Sequence, residues 1–147
     1  MARIEKSIEI EAPVDKVFDF VAAEWEKRMS FFEGIYDWRL TSGKTLGEGV
    51  RCAYKVKILG TETEIEKEVS GFVKNKGWTA TSFKGPESRA QFIFAPIDSK
   101  TRLTYILEYK VPIRIIGGLL DALLIKRQWE TIIDKSLQNL KRLMERS

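Results

Sequence analysis

Residue types suited to catalysis are scarce in this chain, which has no histidine and a single cysteine, Cys52. Histidine is the most common general base and transition-metal ligand in enzymes, so Ser-His-Asp and Cys-His chemistry is excluded. One cysteine cannot form an intramolecular disulfide and leaves thiolate metal sites without ligands. We therefore expect no metal, no cofactor, a reducing cytoplasmic location, and Cys52 as an inert core residue.

Lys67 is the charged residue that the strand pattern places on an apolar face. In residues 61–74 it shares the parity of Ile65 and Val69, so the three side chains lie on one face of a strand. If that face is buried, loss of hydration lowers the pKa of the ammonium unless an anion meets it, and a ligand carboxylate could be that anion. Alternatively, Lys67 extends to solvent from a strand near the sheet edge.

Three tyrosines, Tyr54, Tyr105 and Tyr109, lie on the apolar parities of their strands. Buried phenols need hydrogen-bond partners, so these could orient the polar head of a ligand around a cavity. Alternatively, they are core residues whose hydroxyls reach the rim.

Two charged residues near the C-terminus, Lys126 and Glu130, fall on the apolar side of a predicted helix. They could pair with each other, Glu130 could meet Lys67, or both could reach solvent at a cavity mouth. The candidate ligand-binding set joins these polar groups to the aromatic residues of the same elements: Tyr54, Lys67, Trp78, Phe92, Phe94, Tyr105, Tyr109, Lys126, Trp129 and Glu130.

The hydrophobic pattern changes its period twice along the chain. Alternation predicts a strand over residues 3–11, and Pro13 then begins a short helix, followed by a second short helix over residues 24–32. Six more strands separated by glycine, asparagine and aspartate turns fill residues 35–111. After Pro112, a spacing of about 3.6 residues predicts one helix of about eight turns.

This order predicts an α+β fold. A seven-stranded, curved antiparallel sheet must cover one face, and the C-terminal helix is the element long enough to cover it. We expect the sheet to wrap around that helix, the first strand to join an edge, and the two short helices after strand 1 to close one end. No linker or repeat interrupts the chain, so residues 1–147 are expected to form one ligand-binding domain.

The element order resembles the helix-grip fold of the START/Bet v 1-like superfamily (SRPBCC). SIEIEAPVDKVF at residues 7–18 is similar to the strand-to-helix entry of its polyketide cyclase/dehydrase and lipid-transport group. GEG at 47–49, TRLT at 101–104 and LQNLKRLME at 137–145 agree with that group in order and spacing. The resemblance implies a hydrophobic cavity between sheet and helix, but not catalysis, because its members include carriers, enzymes and protein-binding domains.

From this resemblance we expect binding or transport of a small hydrophobic ligand, such as a lipid, polyketide or isoprenoid-like molecule. The predicted cavity has the usual pocket volume of about 300–1,000 Å³. One alternative is a cyclase or dehydratase that uses Lys67 or a cavity tyrosine for proton transfer. The other alternative is a protein-interaction domain.

Residues 113–125 are apolar on more sides than one sheet face can cover, so part of this segment should be exposed. Two glycines also weaken the start of the helix by about 1 kcal/mol each. One interpretation is a flexible gate formed with the second short helix by Trp25, Met29, Phe32, Ile116, Gly117, Gly118 and Leu120. A homodimer interface explains the same surplus, so the protein could be a monomer or a homodimer.

The charges do not favour a nucleic-acid partner. The 25 basic and 21 acidic residues give a net charge of +4, but the two signs are interleaved along the sequence. The longest apolar stretch, residues 115–125, contains Asp121 and is well short of the roughly 20 residues that cross a bilayer. We expect no transmembrane segment, and transient contact with a membrane surface stays open.

Overall fold

A computed structural model describes residues 1–111 and 118–146. The elements in chain order are strand β1 (Ala2–Ile10), helix α1 (Val14–Phe18), a π-helical turn (Asp19–Ala23), a 3₁₀ helix (Trp25–Ser30), strands β2 (Ile35–Leu40), β3 (Arg51–Ile58), β4 (Thr61–Val73), β5 (Gly77–Lys84), β6 (Ser88–Ile97) and β7 (Lys100–Tyr109), and helix α2 (Leu119–Arg146). The predicted element order is confirmed. The second short helix is a 3₁₀ helix rather than an α-helix and is shorter than predicted.

The strands form one antiparallel sheet in the order β1-β7-β6-β5-β4-β3-β2. Strands β2 to β7 follow one another as a meander, because short turns join antiparallel neighbours. Strand β1 pairs with β7 from Ala2 opposite Tyr109 to Ile10 opposite Thr101. The prediction that the first strand joins an edge is therefore confirmed.

The sheet bends where its register shifts. One irregularity lies between Tyr36 and Arg39 in β2, where Asp37 has a φ of 56°, and two others lie in β4 against β5. Such bulges increase the local twist and bend a strand. At Gly77, φ is 138° and a Cβ would lie 1.9 Å from the carbonyl oxygen of Phe92 on β6. Only glycine allows β5 and β6 to approach this closely.

Helix α2 packs its apolar side into the concave face of the sheet. Ile125, Trp129, Ile133, Leu140 and Met144 are each at most 5% exposed. Their spacing of four or seven residues is that of one helix face. Full burial of a large apolar side chain contributes about 1.5–3 kcal/mol, so this face holds the helix against the sheet.

The first turns of α2 are less well covered. Leu123 and Leu124 remain 45% and 42% exposed, while Ile125 beside them is buried. This agrees with the expected apolar surplus in residues 113–125. None of the helices in the described part of the chain is long and apolar enough to cross a membrane.

Hydrogen bonds fix the segment after the 3₁₀ helix onto α2. The Ser136 hydroxyl lies 2.9 Å from the backbone N–H of Glu33, from which it accepts, and 2.6 Å from the carbonyl of Ile132, to which it donates. Asn139 donates its side-chain N–H to the carbonyl of Phe31 at 3.2 Å. The residues just before Phe31 are therefore held at a defined position over the sheet.

Candidate functional site: a cavity with two buried cations

A cavity lies between the concave face of the sheet, the 3₁₀ helix and α2. Its walls are mostly apolar, but Lys67 on β4 and Arg28 on the 3₁₀ helix also line it. The other lining residues are Phe32, Ile35, Trp38, Leu46, Cys52, Tyr54, Val69, Trp78, Ala80, Ala90, Phe92, Tyr105 and Trp129. The cavity is therefore at the centre of the fold, where the sequence predicts it.

The predicted cavity volume is wrong by about a factor of ten. The cavity has a volume of about 30 Å³, which is room for about two water molecules. Aromatic rings fill the remaining space: Trp78 stacks on Phe92 with centroids 4.7 Å apart, and Tyr105 meets Phe92 edge-on at 4.8 Å. The sequence predicts which rings point inward but not how closely they pack.

Lys67 projects from β4 into this cavity and is 2% exposed. It lies opposite Cys52 of β3 in the register, and its Nζ is 5.3 Å from the centroid of the Tyr54 ring. Burial lowers the pKa of the ammonium, and Tyr105 and Cys52 only partly oppose this effect. Because Lys67 is buried, the alternative in which it extends to solvent is wrong.

Arg28 is the second cation in the cavity and is 5% exposed. Its Nη2 donates to the carbonyl of Val21 at 3.1 Å, while its Nε is buried without a hydrogen-bond partner. The guanidinium carbon lies 4.5 Å from the Trp38 ring centroid and 5.3 Å from that of Phe92. Burial lowers the pKa of Arg28 to about 10, so it stays charged at neutral pH.

The helical segment before Arg28 supplies the carbonyl that holds it. Val21 lies in the π-helical turn, near the end of a helix, where carbonyls lack partners within the helix. Isolated π-helical turns also occur often at functional sites. Sequence reasoning missed Arg28, although it follows Trp25 by three residues and precedes Phe32 by four, a spacing that places all three on one helix face.

The remaining titratable groups of the cavity are neutral at pH 7. Burial raises the pKa of the Tyr54 phenol and raises that of Tyr105 to about 12. Burial also raises the pKa of the Cys52 thiol, although Lys67 and Arg28 partly oppose it. The site therefore combines positive charge, neutral hydroxyl groups and aromatic surface.

Six residues of the predicted ligand-binding set line this cavity: Tyr54, Lys67, Trp78, Phe92, Tyr105 and Trp129. Phe94 is buried beside them, 5.7 Å from Trp78 between ring centroids, but does not line it. Tyr109 lines a smaller neighbouring cavity, where its hydroxyl is buried without a hydrogen-bond partner.

The two charged residues predicted on the inner side of α2 lie outside the cavity. Lys126 is exposed. The carboxylate of Glu130 lies 3.8 Å from the ammonium of Lys6 on β1 and is 37% exposed, so it does not meet Lys67. Near its start, only a narrow face of α2 is buried, as the exposed Leu123 shows. The angular position of a residue around the helix axis does not reveal how wide the buried face is.

The smaller cavity shares two walls with the larger one. Tyr54 and Trp129 line both cavities. The smaller cavity has a volume of about 10 Å³, compared with about 30 Å³ for the larger one. Its other walls include Ile65, Leu107 and Ile125. The side chains of Tyr54 and Trp129 thus contact both cavities.

The predicted gate is only partly described. Phe32 lines the cavity, Met29 is exposed, and the half-buried Trp25 donates its indole N–H to the carbonyl of Lys44 at 3.2 Å. Gly118 is exposed, and Leu120 lies in the first turn of α2. Ile116 and Gly117 lie outside the described residues. The gate and the dimer interface both stay predictions.

Metal binding has no structural support in the described residues. Within residues 1–111 and 118–146, no group of three histidine, cysteine or acidic side chains could hold a metal ion. The polar groups that line the cavity are the side chains of Arg28, Lys67, Tyr54, Tyr105 and Cys52.

A curved antiparallel sheet around a long C-terminal helix, with a cavity between them, defines the helix-grip fold of START/Bet v 1-like proteins. The chain belongs to the family described as polyketide cyclase/dehydrase and lipid transport, whose model matches residues 1–145. A search of curated proteins gave no significant match. The family is thus established by a match across nearly the whole chain.

Several solved structures share the fold at low sequence identity. TTHA0849 from Thermus thermophilus has a TM-score of 0.81 at 18% identity, covering 96% of this chain and 95% of that one. A START superfamily protein from Mycobacterium smegmatis has a TM-score of 0.74 at 16% identity, covering 98% and 97%. Ginseng major latex-like protein 151 from Panax ginseng has a TM-score of 0.71 at 9% identity, covering 97% of each chain.

Proposed function

We propose that this protein binds a small hydrophobic molecule in the cavity between the sheet and α2, as a binding or transport protein. The observation that carries the proposal is an enclosed cavity at the centre of the fold, with walls mainly of aromatic and aliphatic side chains. Ligand pockets are usually apolar cavities with a few polar groups, as here, although the volume of this cavity, about 30 Å³, is well below the usual one. The family description, which includes lipid transport, agrees with this function. A cytoplasmic location stays a prediction.

A ligand larger than two water molecules must displace side chains. Tyr54 and Trp129 line both cavities, so we expect rotation of these side chains to join the cavities into one longer space. Rotating these two side chains costs less free energy than separating two strands, which would break several hydrogen bonds of the sheet. We expect ligand binding to be accompanied by movement of these two side chains.

A neutral fluorescent probe tests the proposal independently of charge. N-phenyl-1-naphthylamine should bind the wild-type protein saturably and gain fluorescence. Ala90 is buried and lines the cavity, so Ala90→Leu should fill the space and weaken binding at least tenfold. Ala95 lies on the same strand with the opposite parity and does not line the cavity, so Ala95→Leu is the matched control and should leave affinity unchanged.

The control variant also defines failure. Equal affinity of wild type, Ala90→Leu and Ala95→Leu for the probe would place binding on the surface and refute the proposed site. Since overpacking can cost about 1–3 kcal/mol, the thermal unfolding of each variant is measured first. If Ala90→Leu unfolds below the assay temperature, Ala90→Val replaces it.

Proton-transfer catalysis of the cyclase or dehydratase type is a second candidate, and one observation favours it. Burial lowers the pKa of Lys67, so a larger fraction of its amine is free to accept a proton beside neutral phenols. Exchange of the α-protons of 2-tetralone in D₂O, followed by NMR, tests this role. Acceleration that is lost in Lys67→Met would support it, and a rate equal to that in buffer would refute it.

The protein-interaction alternative has less support. A mostly filled core without polar groups would favour it; the core is nearly filled, but Arg28 and Lys67 are both buried around the remaining cavity. Buried cations of this kind contribute nothing to a purely structural core and are costly to keep there.

A further inference from the structure

Two buried cations face one small cavity from opposite elements. Arg28 reaches it from the 3₁₀ helix and Lys67 from β4 in the sheet, and each is at most 5% exposed. Cys52 and Tyr105 interact electrostatically with both residues. The two positive charges therefore act on the same enclosed space.

Neither cation forms an ion pair with an acidic side chain of the described residues. In the described part of the chain, no carboxylate oxygen lies within 4.0 Å of the nitrogen atoms of Arg28 or Lys67. The side chains that influence the pKa of both are phenol and thiol groups rather than Asp or Glu. The sequence of residues 112–117, PIRIIG, contains no acidic residue either. The counter-ion is thus not an acidic side chain of these residues.

Aromatic rings account for only part of the stabilisation that these cations require. Cation–π contacts to Trp38, Phe92 and Tyr54 attract the positive charge, but a ring face supplies no acceptor to the remaining N–H groups. The Nε–H of Arg28 is buried with no acceptor. A buried donor without a partner is costly, and proteins keep one mainly where a ligand or water satisfies it.

A carboxylate fits this site in charge and in hydrogen-bonding capacity. Its two oxygens accept several hydrogen bonds, and its negative charge supplies a counter-ion that no acidic side chain provides here. The single negative charge of a carboxylate would compensate one of the two positive charges, whereas a neutral alcohol or ketone would compensate neither. The apolar remainder of the molecule would then contact the rings of Trp78, Phe92 and Trp129.

We propose that the ligand is an apolar carboxylic acid whose carboxylate accepts hydrogen bonds from Arg28 and Lys67. This inference rests on the proposed function, because it assigns the head group of the molecule that the cavity binds. It separates fatty and aromatic acids from sterols, alkanes and neutral polyketides as ligand classes. It also assigns Arg28 as a binding residue that the sequence pattern alone does not single out.

Paired acids and amides of one carbon skeleton test the inference by isothermal titration calorimetry. The pairs are 2-naphthoate with 2-naphthamide and decanoate with decanamide, measured at pH 7. Each acid should bind wild type at least tenfold more tightly than its amide, as expected for hydrogen bonds to charged groups. Lys67→Met should reduce that preference about tenfold or more and leave amide affinity nearly unchanged.

Arg28→Gln should have the same effect on the acid preference, and Arg28→Lys should restore part of it. If Arg28→Gln does not fold, Lys67→Met carries the test, because methionine fits an apolar wall. Lys57→Met removes an exposed lysine from β3 and should not change either affinity. This control excludes a general effect of net charge.

Each outcome has a separate meaning. Equal affinity of acid and amide for wild type overturns the carboxylate assignment while the proposed function stands. An acid preference that survives in both Lys67→Met and Arg28→Gln overturns the assignment of these two residues. If neither acids, amides nor N-phenyl-1-naphthylamine bind, the proposed function itself is refuted.

Discussion

Replacing Lys67 by methionine should stabilise the ligand-free protein. The lysine is 2% exposed, has no acidic partner among the described residues and faces the ring of Tyr54. Methionine keeps most of the apolar stem in place and removes the charge. A side chain retained for ligand binding at the expense of stability is common at functional sites.

The magnitude follows from proton linkage. A lysine with an ordinary pKa of about 10.4 in the unfolded chain can avoid its burial cost by losing its proton, which at pH 7 limits the cost to about 5 kcal/mol. While the lysine keeps its proton, its cation–π contact with Tyr54 offsets up to about 2 kcal/mol of the burial cost, so the net cost lies below this limit. We therefore expect Lys67→Met to raise the free energy of unfolding by about 1–3 kcal/mol at pH 7.

The pH dependence has a definite sign. Burial lowers the pKa of Lys67 in the folded state, so between the folded and unfolded pKa values the unfolded chain binds more protons. The wild type therefore gains stability as pH rises through this window. The advantage of Lys67→Met should decrease as pH approaches about 10.4, the ordinary lysine pKa.

Urea denaturation followed by tryptophan fluorescence, repeated from pH 7 to pH 9.5, measures this advantage. Lys57→Met is the control and should change the free energy of unfolding by less than about 0.5 kcal/mol. If Lys67→Met lowers the free energy of unfolding by more than about 1 kcal/mol, Lys67 stabilises the fold. The reasoning that it serves a ligand would then be refuted.

Two further predictions concern residues that shape the frame around the cavity. Thr101→Val should cost about 1–3 kcal/mol in urea denaturation, because the buried Thr101 hydroxyl donates to the carbonyl of Ala12 at 2.8 Å, and a loss under about 0.5 kcal/mol would contradict this. Gly77→Ala should destabilise the protein by more than about 3 kcal/mol, because the new Cβ would lie 1.9 Å from the carbonyl oxygen of Phe92. Gly47→Ala, whose Cβ would have no neighbour within 4 Å, should change stability by less than about 0.5 kcal/mol, and equal effects of the two glycine variants would contradict the close approach.

The sheet and the long helix could be predicted from the sequence because their hydrophobic periods are strong and continuous. Ile65, Lys67 and Val69 alternate with glutamates along β4, so parity places the lysine on the apolar face of the strand, and the fold then decides that this face is buried. The 3₁₀ helix has no such long pattern. The residues that follow it, Phe31 and Glu33, are held by hydrogen bonds to Asn139 and Ser136 of α2, which is distant in sequence.

The site could be predicted only in part. The inward-facing aromatic residues follow from strand parity, but the cavity volume depends on rotamers and ring packing, which the sequence does not specify. Arg28 lies beside Lys27 and Glu26 in a segment that reads as a charged surface. Lys126 is wrong in the opposite direction. Its position around the helix axis predicts an inward side chain, but the sheet does not cover α2 there and Lys126 is exposed.

The most direct test of a ligand site inside the fold uses the indole N–H signals in a ¹H–¹⁵N correlation spectrum. The chain has four tryptophans, of which Trp38, Trp78 and Trp129 line the cavity and Trp25 does not. Titration with 2-naphthoate should shift the signals of these three residues saturably, through ring currents and displacement of Trp129, with a smaller effect on Trp25. Three unshifted cavity signals at saturating naphthoate, or a shift confined to Trp25, would contradict ligand binding between the sheet and α2.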